Sequence, residues 1–340
     1  MTMKKIEFPL TLVLSLTYLY TFGQVTLNAD GPGNTYELIT SVLAPGYNPI
    51  EVPDCNHSAF GRHIDEVFDA ELNKNVFRFS IHTTPDNDRC INFDRQRNEI
   101  KSYDQSPDNL LGVEDEVVIY KWKFKLDADF QVSPNFTHLH QLKSVGGSLA
   151  SMPMYTLTAR KSNPDCIELR YAETDTQITL LQTDLTPFKG HWLNVTETIT
   201  YGNSGTYTII IKKESDDSIL LNYSNNSIIN WRPNAEFVRP KWGIYRSLNS
   251  ANDLRDESVL YSDFSIEEVS DLSITEVNKN TISLYPNPVT DILNFKLNLN
   301  LTYDKIEIYN SQGKLVQDYD EDFTDTSIDI SSFETGFYSI

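Results

Sequence analysis

Three short segments concentrate the side chains that can grip anions and move protons. The first is RQRNEIK at 95–101, where a strand's period of two sends Arg95, Arg97, Glu99 and Lys101 to one side. Three cations and one anion make a poor core face. The row reads either as a solvated face held by ion pairs or as a groove floor that grips carboxylates, with Glu99 orienting its neighbours. The second, FTHLHQLK at 136–143, places His138 and His140 on one face and Gln141 and Lys143 on the other. An unperturbed imidazole titrates near pH 6.5, so the pair offers general-base candidates. Structural histidines are the alternative, and without a third ligand in view no metal site is assigned. The third, RPKWGIYRS at 239–247, turns Lys241, Gly243, Tyr245 and Ser247 one way, and Trp242, Ile244 and the stem of Arg246 the other. Positive charge favours a phenolate, which makes a tyrosine among cations a candidate proton carrier; packing is the bland reading.

These segments need a scaffold of strands. Strand signals begin at Val76 (VFRFSIH) and recur at 95–103, 117–126, 136–143, 154–160, 167–171, 192–201, 206–212, 218–223, 241–247 and 258–268. Turns rich in Pro, Gly, Asn and Asp separate them. With no sustained helical periodicity, the expected fold is all-β: a two-sheet antiparallel sandwich, a concanavalin-like β-jelly roll spanning 24–269. Residues 25–60 read as an extended wrap. A polar linker at 270–280 precedes a small β-sandwich over 281–340, with Ser311-Gln312-Gly313-Lys314 as a hairpin turn.

Lys4, Lys5 and the apolar run Phe8 to Phe22 read as a secretory signal over 1–23. That run, about 15 residues, is shorter than the roughly 20 a membrane span needs. No other stretch approaches that length, so the expectation is a secreted or cell-surface monomer without a transmembrane segment. The net charge of −20 argues against nucleic acid as a partner. The charge is uneven: residues 91–246 hold 17 basic and 19 acidic groups, residues 271–340 hold 4 and 12. The central segment therefore retains local positive fields that suit an acidic polymer. Lys121, Lys123 and Lys125 form a further basic row, with Arg160, Lys161 and Arg170 near in sequence, although a solvated strand face explains each equally well. Of Cys55, Cys90 and Cys166, the first two are expected to pair. No cofactor is expected, and a structural calcium among the Asp- and Asn-rich loops is left open.

R-N-E-I-K, H-L-H-Q and K-W-G-I-Y-R-S occur in the order of the R-(S/T)-E-(L/V)-R, Q-I-H and Y-F-K-x-G-x-Y-x-Q strands of alginate-lyase-type jelly rolls. The chain resembles that group. The resemblance implies catalytic roles for Arg97, His140 and Tyr245, and substrate contacts from Arg95, Glu99, Lys101, His138, Gln141, Lys143, Lys241 and Arg246. His138 stands where the group has Gln, and Trp242 where it has a small residue. From VTLNADGPGNTYELI to RPKWGIYRSLN, roughly residues 25–268, the chain is similar to the ulvan lyases of polysaccharide lyase family 28. That likeness implies β-elimination on a sulfated rhamnose–uronic acid polymer. Alternatives are an alginate or glucuronan lyase, or a non-catalytic carbohydrate-binding module. Tyr285-Pro286-Asn287-Pro288 and Thr335-Gly336-Phe337-Tyr338 resemble the sorting domain of the type IX secretion system, whose machinery is then an expected partner. That domain is expected to be cut short at Ile340.

Overall fold

Alternating burial decides most of the strands. In the segment Val117–Leu126, Val118, Tyr120, Trp122, Phe124 and Leu126 are buried, while the lysines between them are half-buried at the surface. The computed structural model describes residues 24–269, 283–296, 305–320 and 327–339. The expected signal peptide and linker lie outside them. The described residues form two units, one ending at Val269 and one starting at Ser283.

The first unit runs β1 (Val25–Leu27), α1 (Thr35–Leu43), β2 (Ile50–Glu51), β3 (Ile64–Asp69), β4 (Lys74–Ile81), β5 (Arg95–Lys101), β6 (Val117–Leu126), β7 (Thr137–Val145) and β8 (Tyr155–Arg160). It continues with β9 (Cys166–Tyr171), β10 (Ile178–Asp184), β11 (Trp192–Thr200), β12 (Gly205–Lys213), β13 (Ile219–Ile228), β14 (Phe237–Ser247) and β15 (Glu257–Val269). A seven-stranded sheet in the order β10-β9-β8-β7-β14-β5-β2 packs on an eight-stranded sheet ordered β13-β12-β11-β6-β15-β4-β3, with β1 added on β15. Every pairing is antiparallel. This is the expected jelly-roll sandwich.

Strands β1, β2 and β3 precede the first strand read from the sequence, and two further elements depart from that reading. Part of the expected wrap is helix α1, which buries Thr35, Ile39 and Leu43, one residue per turn. Nine residues are too few for a stable isolated helix, so packing rather than periodicity holds it. The second is β10, an edge strand with no buried residue, whose run ITLLQTD lacks the alternation that marks a half-buried strand. Cys55 and Cys90 form the expected disulfide, and Cys166 is free and buried. No helix among the described residues is long and apolar enough to cross a membrane.

The sandwich core is aromatic, with Trp122, Tyr120, Phe79, Tyr261, Trp242 and Phe124 all buried. Tyr261, on β15 of the larger sheet, sends its hydroxyl across to the carbonyls of Leu139 (2.8 Å) and Gly243 (2.7 Å) on β7 and β14. One proton is shared between two acceptors at a place where the β7–β14 register shifts.

The second unit holds two three-stranded sheets among its described residues. One joins β16 (Ser283–Tyr285), β17 (Ile292–Lys296) and β20 (Ser327–Asp329); the other joins β18 (Lys305–Asn310), β19 (Leu315–Asp320) and β21 (Tyr338–Ser339). The β18–β19 hairpin turns at Gly313, whose φ of 71° suits glycine. Ile308 and Ile328 form a small core with Ile306, Tyr319, Ile330, Phe333 and Tyr338 around them.

Tyr261→Phe leaves two buried carbonyls without their donor and removes no packing volume. Denaturant unfolding should show a loss of about 1–3 kcal/mol. An unchanged midpoint would mean that the shared hydroxyl contributes nothing.

Candidate active site

The centre of the seven-stranded sheet is β14, flanked by β5 and β7. Register places Arg97 opposite Tyr245, Glu99 opposite Gly243 and Lys101 opposite Lys241. On the other side His138 lies opposite Tyr245, Gln141 opposite Lys241 and Lys143 opposite Arg239. One face of three adjacent strands therefore carries Arg95, Arg97, Glu99, Lys101, Lys143 and Lys241. Gly243 lets β5 approach: a Cβ there would stand 2.1 Å from the Asn98 carbonyl oxygen, and its φ is 142°.

The expectation that His138 and His140 share a face is corrected. The register shifts between them against both neighbouring strands, so the alternation changes phase at Leu139. His140 pairs with Trp242 and points into the core, between Trp122 (ring centroids 4.3 Å apart) and Trp242 (5.7 Å). There its Nε2 lies 2.8 Å from Glu197, which also accepts the Tyr207 hydroxyl at 2.6 Å. The same phase change brings Gln141 and Lys143 to the side of His138. Arg246, expected to contact substrate, is likewise on the core side, wholly buried and bonded to Gln96 and the Arg255 carbonyl.

Three carboxylates organise the face. Glu51, on β2, meets Lys241, Lys101 (2.9 Å), Arg89 (2.8 Å) and Arg97 (3.3 Å). Glu99 meets Arg97 (2.6 Å) and Lys241 (3.1 Å) and accepts from Gln141. Asp88 accepts from Arg97 Nε (2.9 Å) and Arg89 Nε (2.8 Å). Sequence reasoning missed Glu51, Asp88 and Arg89, because they sit in a two-residue strand and a loop with no periodic signal. Burial pulls the Glu51 carboxyl upward, but attraction to Lys241, Arg97 and Lys101 outweighs it and holds the group far below the carboxylate range. Burial, with Lys241 and Arg97 close by, brings Lys143 down to about 8.

Tyr245 stands at the upper end of this network. The Arg97 guanidinium lies over its ring, 3.7 Å from the centroid, and Arg95 Nη1 donates to its hydroxyl at 3.0 Å. Phe136 and His138 pack beside it, with ring centroids 5.0 and 5.8 Å away. Burial, then Arg160, Arg97, Arg170 and Lys241, push His138 well below its ordinary value, so its imidazole is neutral. Its Nδ1 has no hydrogen-bond partner. Arg97, by contrast, commits its nitrogens to Asp88, Glu99 and Glu51.

Two further basic groups divide. Arg160 and Arg170, on β8 and β9, extend the face beyond β7 and share Glu168 at 3.2 and 2.9 Å. Lys121, Lys123 and Lys125 lie on β6 of the other sheet and pair with Glu267, Glu214 and Glu71. They take no part in this surface, and Lys161 pairs with Asp253.

Residues 283–340 match the secretion system C-terminal sorting domain, which marks proteins exported by type IX secretion. No curated protein matches the chain in sequence. Among solved structures, the chain is similar to the marine PL-14 alginate lyase from Aplysia kurodai. Identity is 13% over 72% of this chain and 99% of that one, with a TM-score of 0.51. The endo-β-1,4-glucuronan lyase from the fungus Trichoderma reesei matches at 15% identity over 60% and 86%, TM-score 0.43. An alginate lyase from Pseudomonas aeruginosa matches at 11% over 64% and 96%, TM-score 0.42. At such identities, the likeness to the Aplysia protein shows the shared fold alone.

Because the folded-state pKa of Glu51 is depressed, the stability it lends is complete above its unfolded value of about 4.3 and drains away as pH falls below it. Glu51→Gln should therefore weaken the protein at neutral pH and flatten the acid limb of its stability curve, read by urea unfolding from neutral to acid pH. An acid limb as steep as the parent's would remove Glu51 from this role.

Proposed function

We propose that the first unit is a polysaccharide lyase that cleaves a uronate-containing polymer by β-elimination, with ulvan as its substrate. The observation that carries this reading is the Tyr245 cluster: a phenol hydroxyl held by Arg95, beside a neutral imidazole, on a cationic floor. β-Elimination takes the proton from carbon 5 of a uronate, forms the double bond to carbon 4 and breaks the bond from carbon 4 to the linking oxygen. Two proton transfers and one charge must be managed. Tyr245 delivers a proton to the leaving oxygen. When the carbon-5 proton lies on the same side, as in glucuronate, Tyr245 takes it first; for iduronate, on the opposite side, His138 takes it.

The roles inferred from family likeness shift accordingly. His138 replaces His140 as the base, since His140 faces the core. Arg97 is a positioning residue that stacks against Tyr245, and Arg95, more exposed and paired with the exposed Asp94 (2.7 Å), is the cation placed to exchange that partner for the substrate carboxylate. Lys143, Arg160 and Arg170 continue the positive floor and fit the sulfate and carboxylate groups of successive sugars. Glu99, Lys101, Gln141 and Lys241 hold that floor in shape. The reaction draws on no cofactor. A glycosidase would need two carboxyl groups free to act across the scissile bond, whereas Glu51 and Glu99 are buried under cations. Ulvan itself rests on the resemblance to family 28. The sorting domain places this activity outside the cell.

Incubating the full chain with ulvan, alginate, glucuronan and heparin while following ultraviolet absorbance of the unsaturated uronate tests this directly. Absorbance with ulvan alone is expected. New reducing ends without absorbance would mean hydrolysis, and retention without cleavage would mean a binding module. Tyr245→Phe should lower turnover by about 10²–10⁴-fold at every linkage, and His138→Gln should do so at iduronate linkages, with unfolding curves unchanged. His140→Gln should instead lower the thermal midpoint while the folded fraction keeps its turnover. Near-normal turnover in Tyr245→Phe overturns the assignment.

A further inference from the structure

Three of the six histidines converge on one carboxylate, that of Asp86. His57 Nδ1 lies 2.8 Å from Asp86 Oδ1, His63 Nε2 lies 3.2 Å from the same oxygen, and His82 Nδ1 lies 3.0 Å from Asp86 Oδ2. One ligand atom from each of the four residues falls within 4.8 Å of all the others. The Asp86 and His63 side chains have no exposure, and His57 and His82 retain 21% and 19%. Phe60 covers the group, its ring centroid 4.3 Å from His82 and 4.7 Å from His63.

We propose that His57, His63, His82 and Asp86 form a structural zinc site. Three nitrogens and one carboxylate oxygen are a donor set that zinc accepts in tetrahedral geometry, with bonds of about 2.0–2.2 Å. Such bonds put neighbouring ligand atoms about 3.3 Å apart, so the three histidine–Asp86 separations open by a few tenths of an ångström on binding, while the farther ligand atoms, now up to 4.8 Å apart, draw together. A second feature points the same way. His63 turns its other nitrogen, Nδ1, to Asp54 Oδ1 at 2.7 Å, which fixes the ring and aims Nε2 inward. A carboxylate behind a histidine is the usual outer support of a metal-bound imidazole. Asp54 is itself anchored by the Tyr36 hydroxyl at 2.8 Å. Without a metal, all three imidazoles must point N–H groups at one enclosed carboxylate. With one, the same atoms serve as lone pairs to a single dication. Four protein donors leave no position for substrate, so the role is structural rather than catalytic.

The ligands come from the loop before β3, the end of β4 and the loop before β5. The site therefore clips together segments that the Cys55–Cys90 disulfide also joins. Asp88, two residues beyond Asp86, is the residue that holds Arg97.

The test uses the full chain, stripped with a chelator, loaded with zinc or cobalt(II) and desalted. Mass spectrometry of the metal should give about one zinc per chain, and the cobalt form should show the visible absorption of four-coordinate cobalt(II). Chelation should lower the thermal midpoint and zinc should restore it. In the double variant His57→Gln/His82→Gln, bound zinc should fall to roughly one-tenth or less of an equivalent, with the far-ultraviolet circular dichroism of the sandwich retained. A parent protein that retains less than about one-tenth of an equivalent after loading, or a double variant that binds as much zinc as the parent, overturns the proposal. Neither readout depends on lyase activity, so this site and the proposed reaction stand or fall separately.

Discussion

Charge burial governs this molecule. Arg97, Lys101 and Lys241 are each less than a tenth exposed, as are Glu51, Glu99 and Asp88. None of these groups is tolerable there alone, since removing one partner of a buried ion pair costs about 3–5 kcal/mol. The strands β2, β5 and β14 can lie side by side only while their charges stay matched. The lysine row on β6 makes ion pairs of similar length, yet those are open to solvent and contribute about 0–1 kcal/mol each. Equal distances thus carry unequal weight, and the difference is burial. The network also fixes how the proposed site works: acids at the base hold the cations, and the cations hold the tyrosine.

The sandwich was legible because its strands are half-buried and alternate. Tyr120, Trp122, Phe124 and the lysines between them leave a period of two that no other element produces. The row Arg95–Lys101 was legible for the same reason. What could not be read was anything set by one strand's relation to another. The phase change at Leu139 leaves no mark in FTHLHQLK, yet it sends the two histidines to opposite faces. Glu51 lies in a two-residue strand and Asp88 in a loop, and only the folded chain brings them under Arg97. The cluster at His57, His63, His82 and Asp86 has irregular spacing, so it too emerges from folding alone.

At a register shift one strand carries a residue that its neighbour cannot match, which leaves backbone carbonyls short of donors. The carbonyls of Leu139 and Gly243 meet the Tyr261 hydroxyl instead, delivered from the opposite sheet. An irregularity beside the proposed site is therefore stabilised from behind by the core. His138 lies beside Tyr245 at this bulge, while a tyrosine from the opposite sheet meets the carbonyls behind it.

Strand order has a consequence for how the unit comes to exist. In the smaller sheet β14 joins β7 to β5, and in the larger sheet β15 joins β6 to β4. These are the last two strands of the unit along the chain. Until they are in place, the smaller sheet consists of two fragments and the larger of two plus an unpaired β1, and the charges of β5 lack Lys241. The pairings that finish the fold span large separations in sequence, the kind that close slowly. Assembly is therefore deferred: a chain lacking its final strands has no part of the paired cationic face, which appears all at once when the seam closes.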